Sequence, residues 1–325
     1  MIRRNGLAAA CMFILLTSPA AGEPSGRIYV SNEKSSTITV LDGASYAVVD
    51  SFPSCARPRG IHFNADRTQF FVGCADDDVI AIYDVATAKP VKRIRKMEEP
   101  ETFDLSPDGR FLVVSNEEDA AASKVDVETG KIVGQAELGE EPEGVLFSRD
   151  GKTVYVASEA ANIVHVIDFE TMEVRKDVFV GTRPRRFALT PDEKELWVSA
   201  ELAGAVNIID TASLTVKEDI LFDPPGFRRS EVTPVDLLIS HDGKTAFVTL
   251  GRANHVAVID VATRKIRAYI LVGKRPWGLA LSRDEKTLYV ANGLSDDISI
   301  LDVPSLKVRK SVPVGMIPYG ILIDD

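Results

Sequence analysis

A tetrad typified by YVAN recurs along the chain at an almost constant interval. Its first residues follow one another at steps of 42, with a single step of 50: Tyr29, Phe71, Val113, Tyr155, Trp197, Phe247 and Tyr289. Aspartates that end apolar runs keep the same register: Asp42, Asp84, Asp126, Asp168, Asp210, Asp260 and Asp302. Prolines keep it a third time: Pro58, Pro100, Pro142, Pro184, Pro234, Pro276 and Pro318. The chain therefore contains seven units, with one eight-residue insertion between Asp210 and Pro234.

Each unit contains four β-like runs separated by turn signals. In the unit that begins at Pro142, the runs are EGVLFS, TVYVAS, NIVHVIDF and EVRKDVFVG. Asp-Gly pairs, as in SPDG at 106 and SHDG at 240, favour tight reversals between antiparallel strands. One such unit cannot bury both of its faces, whereas seven units stacked in a ring can. The sequence predicts an all-β fold, a seven-bladed β-propeller with four-stranded antiparallel blades.

The two ends of the described pattern are complementary. The first unit starts directly at RIYVSN, without the strand that follows each proline elsewhere, and the chain stops at IPYGILIDD, which is that strand. We expect residues 318–325 to complete the blade begun at 27–55, since closing the ring removes a free sheet edge. An open solenoid or two separate domains would leave both half-blades unpaired. Residues 23–325 are therefore predicted to form one domain.

The N-terminus reads MIRRNGLAAACMFILLTSPAAGEPSG and has the layout of a secretory signal peptide. Arg3 and Arg4 precede a short apolar run, and small residues with A-x-A-like cleavage options follow it. We predict a signal peptide over residues 1–22 and export to the periplasm of a Gram-negative bacterium. Lipidation at Cys11 is the alternative. The apolar run is too short to span a bilayer, and no other stretch is long enough.

Charge and cysteine content narrow the function classes. The formal charge is −10, and no run of Lys or Arg exceeds two residues, so we expect no nucleic-acid partner. Cys55 and Cys74 remain after the predicted cleavage. Both end predicted strands that run toward the same rim, and an oxidising compartment favours their pairing as a disulfide. Two separate buried thiols are the alternative.

The tetrad YVAN with ID or LD downstream resembles the YVTN family of β-propeller repeats. The stretch from TPVDLLISHDGKTAFVTLGRANHVAVIDV to YVANGLSDDISILDV, with the insertion PPGFRRSEVTPVD, is similar to the PQQ-dependent catabolism-associated β-propeller proteins. That resemblance implies an exported propeller associated with periplasmic alcohol oxidation by quinone-dependent dehydrogenases. It implies such a dehydrogenase, or its electron acceptor, as the partner. The resemblance supplies a cellular context rather than a reaction. The sequence does not give the oligomeric state, and we favour a monomer.

The sequence offers no established catalytic motif. It contains no c-type haem attachment motif, no H-E-x-x-H, no G-x-S-x-G and no glycine-rich phosphate loop, so we expect no covalent cofactor and favour binding over catalysis. In a propeller, the loops that enter the innermost strands converge at one mouth of the central channel. The candidate binding residues are those that follow the repeated prolines: Arg59, Glu101, Glu143, Arg185, Asp236, Trp277 and Tyr319.

Three interpretations of this mouth stay open. The first is a rim of ion pairs, Arg59 with Glu101 and Glu143 with Arg185. The second is a polar funnel in which Trp277 and Tyr319 stack on a non-covalently bound quinone cofactor and arginines pair with its carboxylates. The third is the docking of a partner protein on the same face.

Two further groups of residues are candidates for function. His62 and Asp104 are polar members of an otherwise apolar inner-strand column, so we expect a hydrogen bond between them, with an acid–base dyad as the alternative. In the insertion, Phe227, Arg228 and Arg229 are expected to project from a proline-stiffened loop. The runner-up function is a propeller lactonase or hydrolase with a divalent metal in the channel, held by Glu101, Glu143, Asp104 and His62. A pure protein-interaction scaffold is the third reading.

Overall fold

The computed structural model describes residues 24–325, which form seven four-stranded antiparallel sheets, the blades. Blade 1 contains β1 (Arg27–Asn32), β2 (Thr37–Asp42), β3 (Val48–Pro53) and the last strand, β28 (Pro318–Asp324). Blade 2 contains β4 (Pro58–Phe63), β5 (Gln69–Cys74), β6 (Val79–Asp84) and β7 (Pro90–Arg95). Blade 3 contains β8 (Pro100–Leu105), β9 (Phe111–Asn116), β10 (Ala121–Asp126) and β11 (Lys131–Glu137). Blade 4 contains β12 (Pro142–Phe147), β13 (Thr153–Ser158), β14 (Ile163–Asp168) and β15 (Val174–Phe179).

The remaining blades repeat this order. Blade 5 contains β16 (Pro184–Leu189), β17 (Glu195–Ala200), β18 (Ala205–Asp210) and β19 (Thr215–Leu221). Blade 6 contains β20 (Pro234–Ile239), β21 (Thr245–Leu250), β22 (His255–Asp260) and β23 (Ile266–Leu271). Blade 7 contains β24 (Pro276–Leu281), β25 (Thr287–Asn292), β26 (Asp297–Asp302) and β27 (Lys307–Pro313). Within residues 24–325, three short 3₁₀ helices lie in connections: Ala75–Asp77, Arg229–Glu231 and Gly251–Ala253. The predicted seven-bladed propeller is confirmed.

The predicted signal peptide, with the alternative of lipidation at Cys11, lies outside the described residues. Within residues 24–325, no helix is long and apolar enough to cross a membrane.

The last strand closes the ring. β28 pairs antiparallel with β1, with Arg27 opposite Asp324 and Tyr29 opposite Leu322. The innermost strands contact one another around the whole circle, including β28 with both β4 and β24. The prediction that residues 318–325 complete the first blade is confirmed, and no inner strand among the described residues is left without neighbours on both sides.

The repeated landmarks have local structural causes. Each aspartate at the end of a third strand accepts backbone N–H groups from the following turn; Asp84 accepts the N–H of Thr87 at 2.8 Å, and Asp260 that of Thr263 at 2.9 Å. Such capping satisfies donors that the hairpin leaves free. Gly109 has φ +70° in its turn, a conformation that L-residues adopt only at a cost.

The core lies between blades. The second strand of each blade is buried on both sides, as in β13, where five of the six residues are buried. Tyr29 of blade 1 packs on Phe70 of blade 2 with ring centroids 5.0 Å apart, and its hydroxyl donates to the Val85 carbonyl at 3.1 Å. Full burial of a side chain such as Phe70 contributes about 1.5–3 kcal/mol. Stacking explains why single blades need their neighbours.

Antiparallel alternation sorts the connections onto two faces. One face, called here the mouth face, carries the turns between second and third strands and the connections from each outer strand to the next blade. The opposite face carries the other two sets of turns. The inner strands start at the mouth face, so the residues that follow the repeated prolines line the channel at that end, called here the mouth.

Candidate functional site

The backbone at the mouth is held in an uncommon conformation. The residue before the proline has positive φ in six of the seven inter-blade connections: Arg57 (52°), Glu99 (47°), Glu141 (56°), Arg183 (63°), Arg275 (56°) and Ile317 (52°). Each of these residues accepts, through its carbonyl oxygen, the N–H of the residue after its blade's second strand, as Glu99 does from Glu117 at 3.2 Å. A non-glycine residue with φ of this sign costs roughly 1–2 kcal/mol. The fold accepts that cost six times. Each of these hydrogen bonds holds an inter-blade connection beside the turn that follows its blade's second strand.

On blades 1 to 3, two arginines bind a set of glutamates. Arg59 contacts Glu101, whose side chain is fully buried, and lies 3.5 Å from Glu33. Arg57 contacts Glu99 and donates to Glu33 at 3.2 Å. The predicted ion pair between Arg59 and Glu101 is therefore present, within a larger network than the sequence suggested.

On blades 4 and 5, the network centres on Arg185. Its guanidinium contacts Glu159, and it lies 3.6 Å from Glu143 and 3.5 Å from Glu201. Its side chain is only 3% exposed. Arg183 pairs with two of these carboxylates, its Nε lying 2.6 Å from Glu159 and 3.4 Å from Glu201. A buried arginine shared by three carboxylates is costly to desolvate and depends on every partner.

One arginine crosses the channel. Arg186, on blade 5, contacts the hydroxyl of Tyr319 on blade 1 and lies 2.8 Å from Oε1 of Glu143 on blade 4. Tyr319 in turn donates to Glu143 at 3.0 Å. Blade 1 is as distant from blades 4 and 5 as the ring allows. Arg186 and Tyr319 therefore form a bar across the channel just below the mouth, which we call the crossbar.

The two aromatic residues are flanked by arginines. The guanidinium carbons of Arg185 and Arg275 lie 5.0 and 5.1 Å from the Trp277 ring centroid, and Arg59 lies 5.0 Å from that of Tyr319. The two rings are neighbours, with centroids 5.5 Å apart. Cation–π contacts of this kind use the ring faces that a planar ligand would need.

The electrostatics follow from burial among paired charges. Burial raises the pKa of Glu143, but Arg185, Arg186 and Arg59 outweigh it and hold that pKa well below the usual value. Burial, assisted by Glu143, raises the pKa of Glu159. Burial raises the pKa of Tyr319 to about 12, so its hydroxyl stays a donor. The buried arginines and glutamates of the mouth therefore pair with one another and form an ionic layer.

Below the crossbar lies a cavity of about 260 Å³ on the channel axis. Its polar lining comes from His62, Thr102, Asp104, Arg186 and Asp236, and inner-strand glycines and apolar side chains complete it. Asp236 accepts N–H groups from Leu237 and from Leu279 of the next blade, at 2.9 and 2.8 Å. The structure thus places Asp236 inside the channel, one residue further along its strand than the other mouth candidates.

The prediction of a hydrogen bond between His62 and Asp104 is wrong. Asp104 accepts the N–H of Leu105 and, on the next blade, that of Phe147, both at 2.9 Å. Its carboxylate therefore pairs with backbone donors on the side away from blade 2, while His62 packs edge-on against Phe103. Burial raises the pKa of Asp104 to about 6 and lowers that of His62 to about 4, as expected for groups without an opposite charge. Nothing in this arrangement forms an acid–base dyad.

The insertion loop and the cysteines both lie on the mouth face. Phe227 does not project as expected; it is partly buried, with its ring 5.5 Å from that of His255, because the apolar ring packs onto blade 6. Arg228 and Arg229 are exposed. A disulfide joins Cys55 to Cys74, with Cα atoms 5.7 Å apart, and ties the end of blade 1 to blade 2.

The residues suggested for a divalent metal do not fit one. Arginines already pair with Glu101 and Glu143, and Asp104 binds backbone N–H groups. Glu99, Glu101 and Glu117 bring carboxylate oxygens within 4.8 Å of one another. However, the guanidinium of Arg57 contacts both Glu99 and Glu101, so a positive charge already occupies the place where a metal cation would bind.

Sequence reasoning missed half of the network. Glu33, Glu159 and Glu201, which bind the arginines, occupy one column directly after the second strands and keep the 42-residue register. Arg57, Arg183 and Arg275 form another, directly before the prolines. Both columns were readable from the repeat, but their meeting depends on the positive-φ turn that joins the two connections.

Comparisons with known proteins agree with this architecture. The profile of the YNCE-like β-propeller family matches residues 21–188, which is more than half of the chain. The chain belongs to the YNCE-like β-propeller family. The profile of a second family, lactonases with a seven-bladed β-propeller, matches residues 172–307 of this family member. No curated protein matches the chain.

Solved structures share the fold at low identity. Hydrazine synthase of Kuenenia stuttgartiensis is 24% identical, with a TM-score of 0.72 over 81% of this chain and 88% of that one. A protein of unknown function from Desulfotomaculum acetoxidans is 17% identical, with a TM-score of 0.78 over 92% and 99%. A provisionally assigned 6-phosphogluconolactonase from Bacteroides uniformis is 14% identical, with a TM-score of 0.76 over 91% and 98%. At these identities the likeness concerns the fold alone.

Proposed function

We propose that this chain is a non-catalytic binding propeller that docks a partner protein on its mouth face. The observation that carries the proposal is the sealed mouth: Arg59, Glu101, Glu143 and Arg185 are buried and pair with one another or with nearby glutamates. A ligand could use these charges only by breaking pairs already formed. The exposed side chains of the mouth-face connections need no such rearrangement to contact a protein surface.

The cellular context belongs to the same proposal. The predicted signal peptide and the resemblance to PQQ-dependent catabolism-associated propellers support a periplasmic accessory role in alcohol oxidation, with a quinone-dependent dehydrogenase or its electron acceptor as partner. The proposal places no quinone at the mouth, because arginines already flank Trp277 and Tyr319.

Titration calorimetry tests this proposal. Residues 23–325 are titrated with the PQQ-dependent alcohol dehydrogenase of the source organism, with that enzyme's electron acceptor, and with free PQQ. We expect binding to one of the two proteins and none to PQQ. Binding of PQQ that Arg59→Ala and Trp277→Ala both weaken would instead support the funnel, and no binding to either protein would refute the proposed partnership.

A second candidate, lactone hydrolysis, is favoured by the lactonase profile and by the 6-phosphogluconolactonase-like fold neighbour. The channel cavity with Arg186 is the place where a lactone would bind. Hydrolysis of 6-phosphogluconolactone is followed by pH-stat titration for the wild type and for Arg186→Lys. Turnover above the spontaneous rate that the substitution abolishes would support this candidate; rates equal to the blank would remove it.

A further inference from the structure

Because the blade is repeated seven times, the blades can be compared to show which side chains a mouth-face turn needs in order to form. The turn between second and third strands occurs seven times, as EKSS, ADDD, EEDA, EAAN, ELAG, GRAN and GLSD. Small and uncharged residues serve this turn in several blades. Asp77 and Asp78 accept backbone N–H groups of adjacent connections. The side chains of Asp76, Glu118 and Asp119 make no such bond within residues 24–325, so they are not needed to form the turn.

These extra charges collect in one part of the mouth face. The connections 75–78, 96–99, 117–120 and 138–141 carry ten carboxylates and a single lysine. We call them the acidic sector. Most of the carboxylates are exposed, among them Asp76, Glu118, Asp119 and Glu140. Burial, with Glu99 and Glu143, raises the pKa of Glu117, although Arg59 and Arg57 act in the opposite direction.

The opposite part of the same face exposes large apolar side chains. The last residues of the outer strands are Phe179, Leu221 and Leu271 on blades 4 to 6, with 74%, 49% and 62% exposed. The equivalent residues of blades 2 and 3 are Arg95 and Glu137. Exposed apolar residues in neighbouring mouth connections extend this group, the apolar arc: Leu202, Leu294 and Met316.

We propose that the mouth face binds a folded protein that presents a cluster of lysines or arginines beside an apolar patch. The cationic cluster would lie on the acidic sector, and the apolar patch on the apolar arc. This inference rests on the proposed function and specifies the chemistry of its partner. Opposite charges accelerate encounter and fix orientation, while large exposed apolar residues supply the contact energy.

A second copy of this chain fits less well. Among the described residues, its face exposes fewer cations than the ten carboxylates of the acidic sector: Lys34, Arg95, Lys96, Arg228, Arg229, Arg252 and Lys274. Two copies would also each bring a formal charge of −10. Such self-repulsion opposes association.

Site-specific photocrosslinking in the cells of origin identifies the occupant. A photoreactive residue replaces Phe179 or Leu271 on the apolar arc, or Val133, which is 53% exposed on the outer edge of blade 3. We expect one protein to be captured from both arc positions and not from Val133. Capture of this chain by itself, capture equally from Val133, or no capture from the arc would overturn the inference.

Binding of the captured protein, once purified, tests the charge argument. The variant Glu118→Lys/Glu140→Lys reverses two exposed charges of the acidic sector that make no hydrogen bond or ion pair within residues 24–325. The matched variant Glu128→Lys/Glu170→Lys makes the same change on the opposite face. We expect the first to weaken binding at least about tenfold and to reduce its salt dependence, with the second within about twofold of wild type. Equal effects of both pairs would refute the inference.

The two proposals fail separately. If the captured protein is neither the quinone-dependent dehydrogenase nor its electron acceptor, the proposed partnership fails, while the charge reversals still decide the inference. If the dehydrogenase binds equally to wild type and to Glu118→Lys/Glu140→Lys, the inference fails and the partnership stands.

Discussion

At the scale of single residues, the mouth is organised by arginines that each bind several carboxylates. Arg185 illustrates this, because its side chain is 3% exposed and faces Glu143, Glu159 and Glu201. The sequence indicated an ion pair there, but it could not show that the pair is buried. A buried pair and an exposed pair have different consequences: breaking the first leaves an uncompensated charge, whereas breaking the second leaves a hydrated one.

Replacing Arg185 therefore tests how much the ionic layer contributes to the free energy of unfolding. We expect Arg185→Met to lower the free energy of unfolding by about 3–5 kcal/mol, since it leaves buried carboxylates unpaired. Arg185→Met/Glu159→Gln should recover part of this loss. The control is Arg175→Met, which breaks an exposed pair with Asp168 and should cost at most about 1 kcal/mol. Urea unfolding checks all three, and similar losses for Arg175→Met and Arg185→Met would contradict the buried network.

Asp104 gives a prediction about pH. Its pKa of about 6 in the folded protein exceeds the ordinary value of 3.8, because burial disfavours the charged form. A carboxyl whose pKa is raised by folding adds stability below pH 4 and loses it as the pH rises through 6. Relative to Asp104→Asn, the wild type should lose roughly 1–3 kcal/mol of unfolding free energy between pH 4 and pH 7. Unfolding curves across this range check it, and a difference that is flat or rises with pH would contradict it.

At the scale of elements, the repeat was enough to place almost every strand. The prolines start the inner strands, the YVAN-like tetrads lie in the second strands, and the aspartates end the third. What the repeat could not give is how connections meet. Glu159 and Arg185 come together through a turn with positive φ at Glu141 and Arg183, a conformation that local propensity disfavours for these residues. The prediction for Asp104 is wrong for a similar reason, since its carboxylate accepts a backbone N–H of the next blade.

The disulfide links two blades, and its contribution to thermal stability can be measured. Cys55 and Cys74 close a loop with a sequence separation of 19 between two blades beside the acidic sector. Removing a bridge of this size costs about 2–4 kcal/mol. We expect Cys55→Ser/Cys74→Ser to lower the Tm and to make it insensitive to dithiothreitol, whereas reductant should lower the Tm of the wild type. An identical Tm for oxidised and reduced wild type would contradict a stabilising bridge.

At the scale of the whole molecule, ring closure turns seven similar units into a surface with two distinct parts. Each blade contributes the same connections, but their side chains differ around the ring, with carboxylates on blades 2 and 3 and apolar residues on blades 4 to 7. The channel beneath is barred by Arg186 and Tyr319. We propose that a molecule built this way binds at the surface of the mouth face rather than inside the channel.

Hydrogen–deuterium exchange of the chain, alone and bound to its protein partner, tests this claim most directly. The account predicts slower exchange in the mouth-face connections, above all 75–78, 117–120 and the end of β23, with unchanged exchange in the turns of the opposite face. Protection confined to the turns of the opposite face, or to inner strands around the channel cavity, would contradict it.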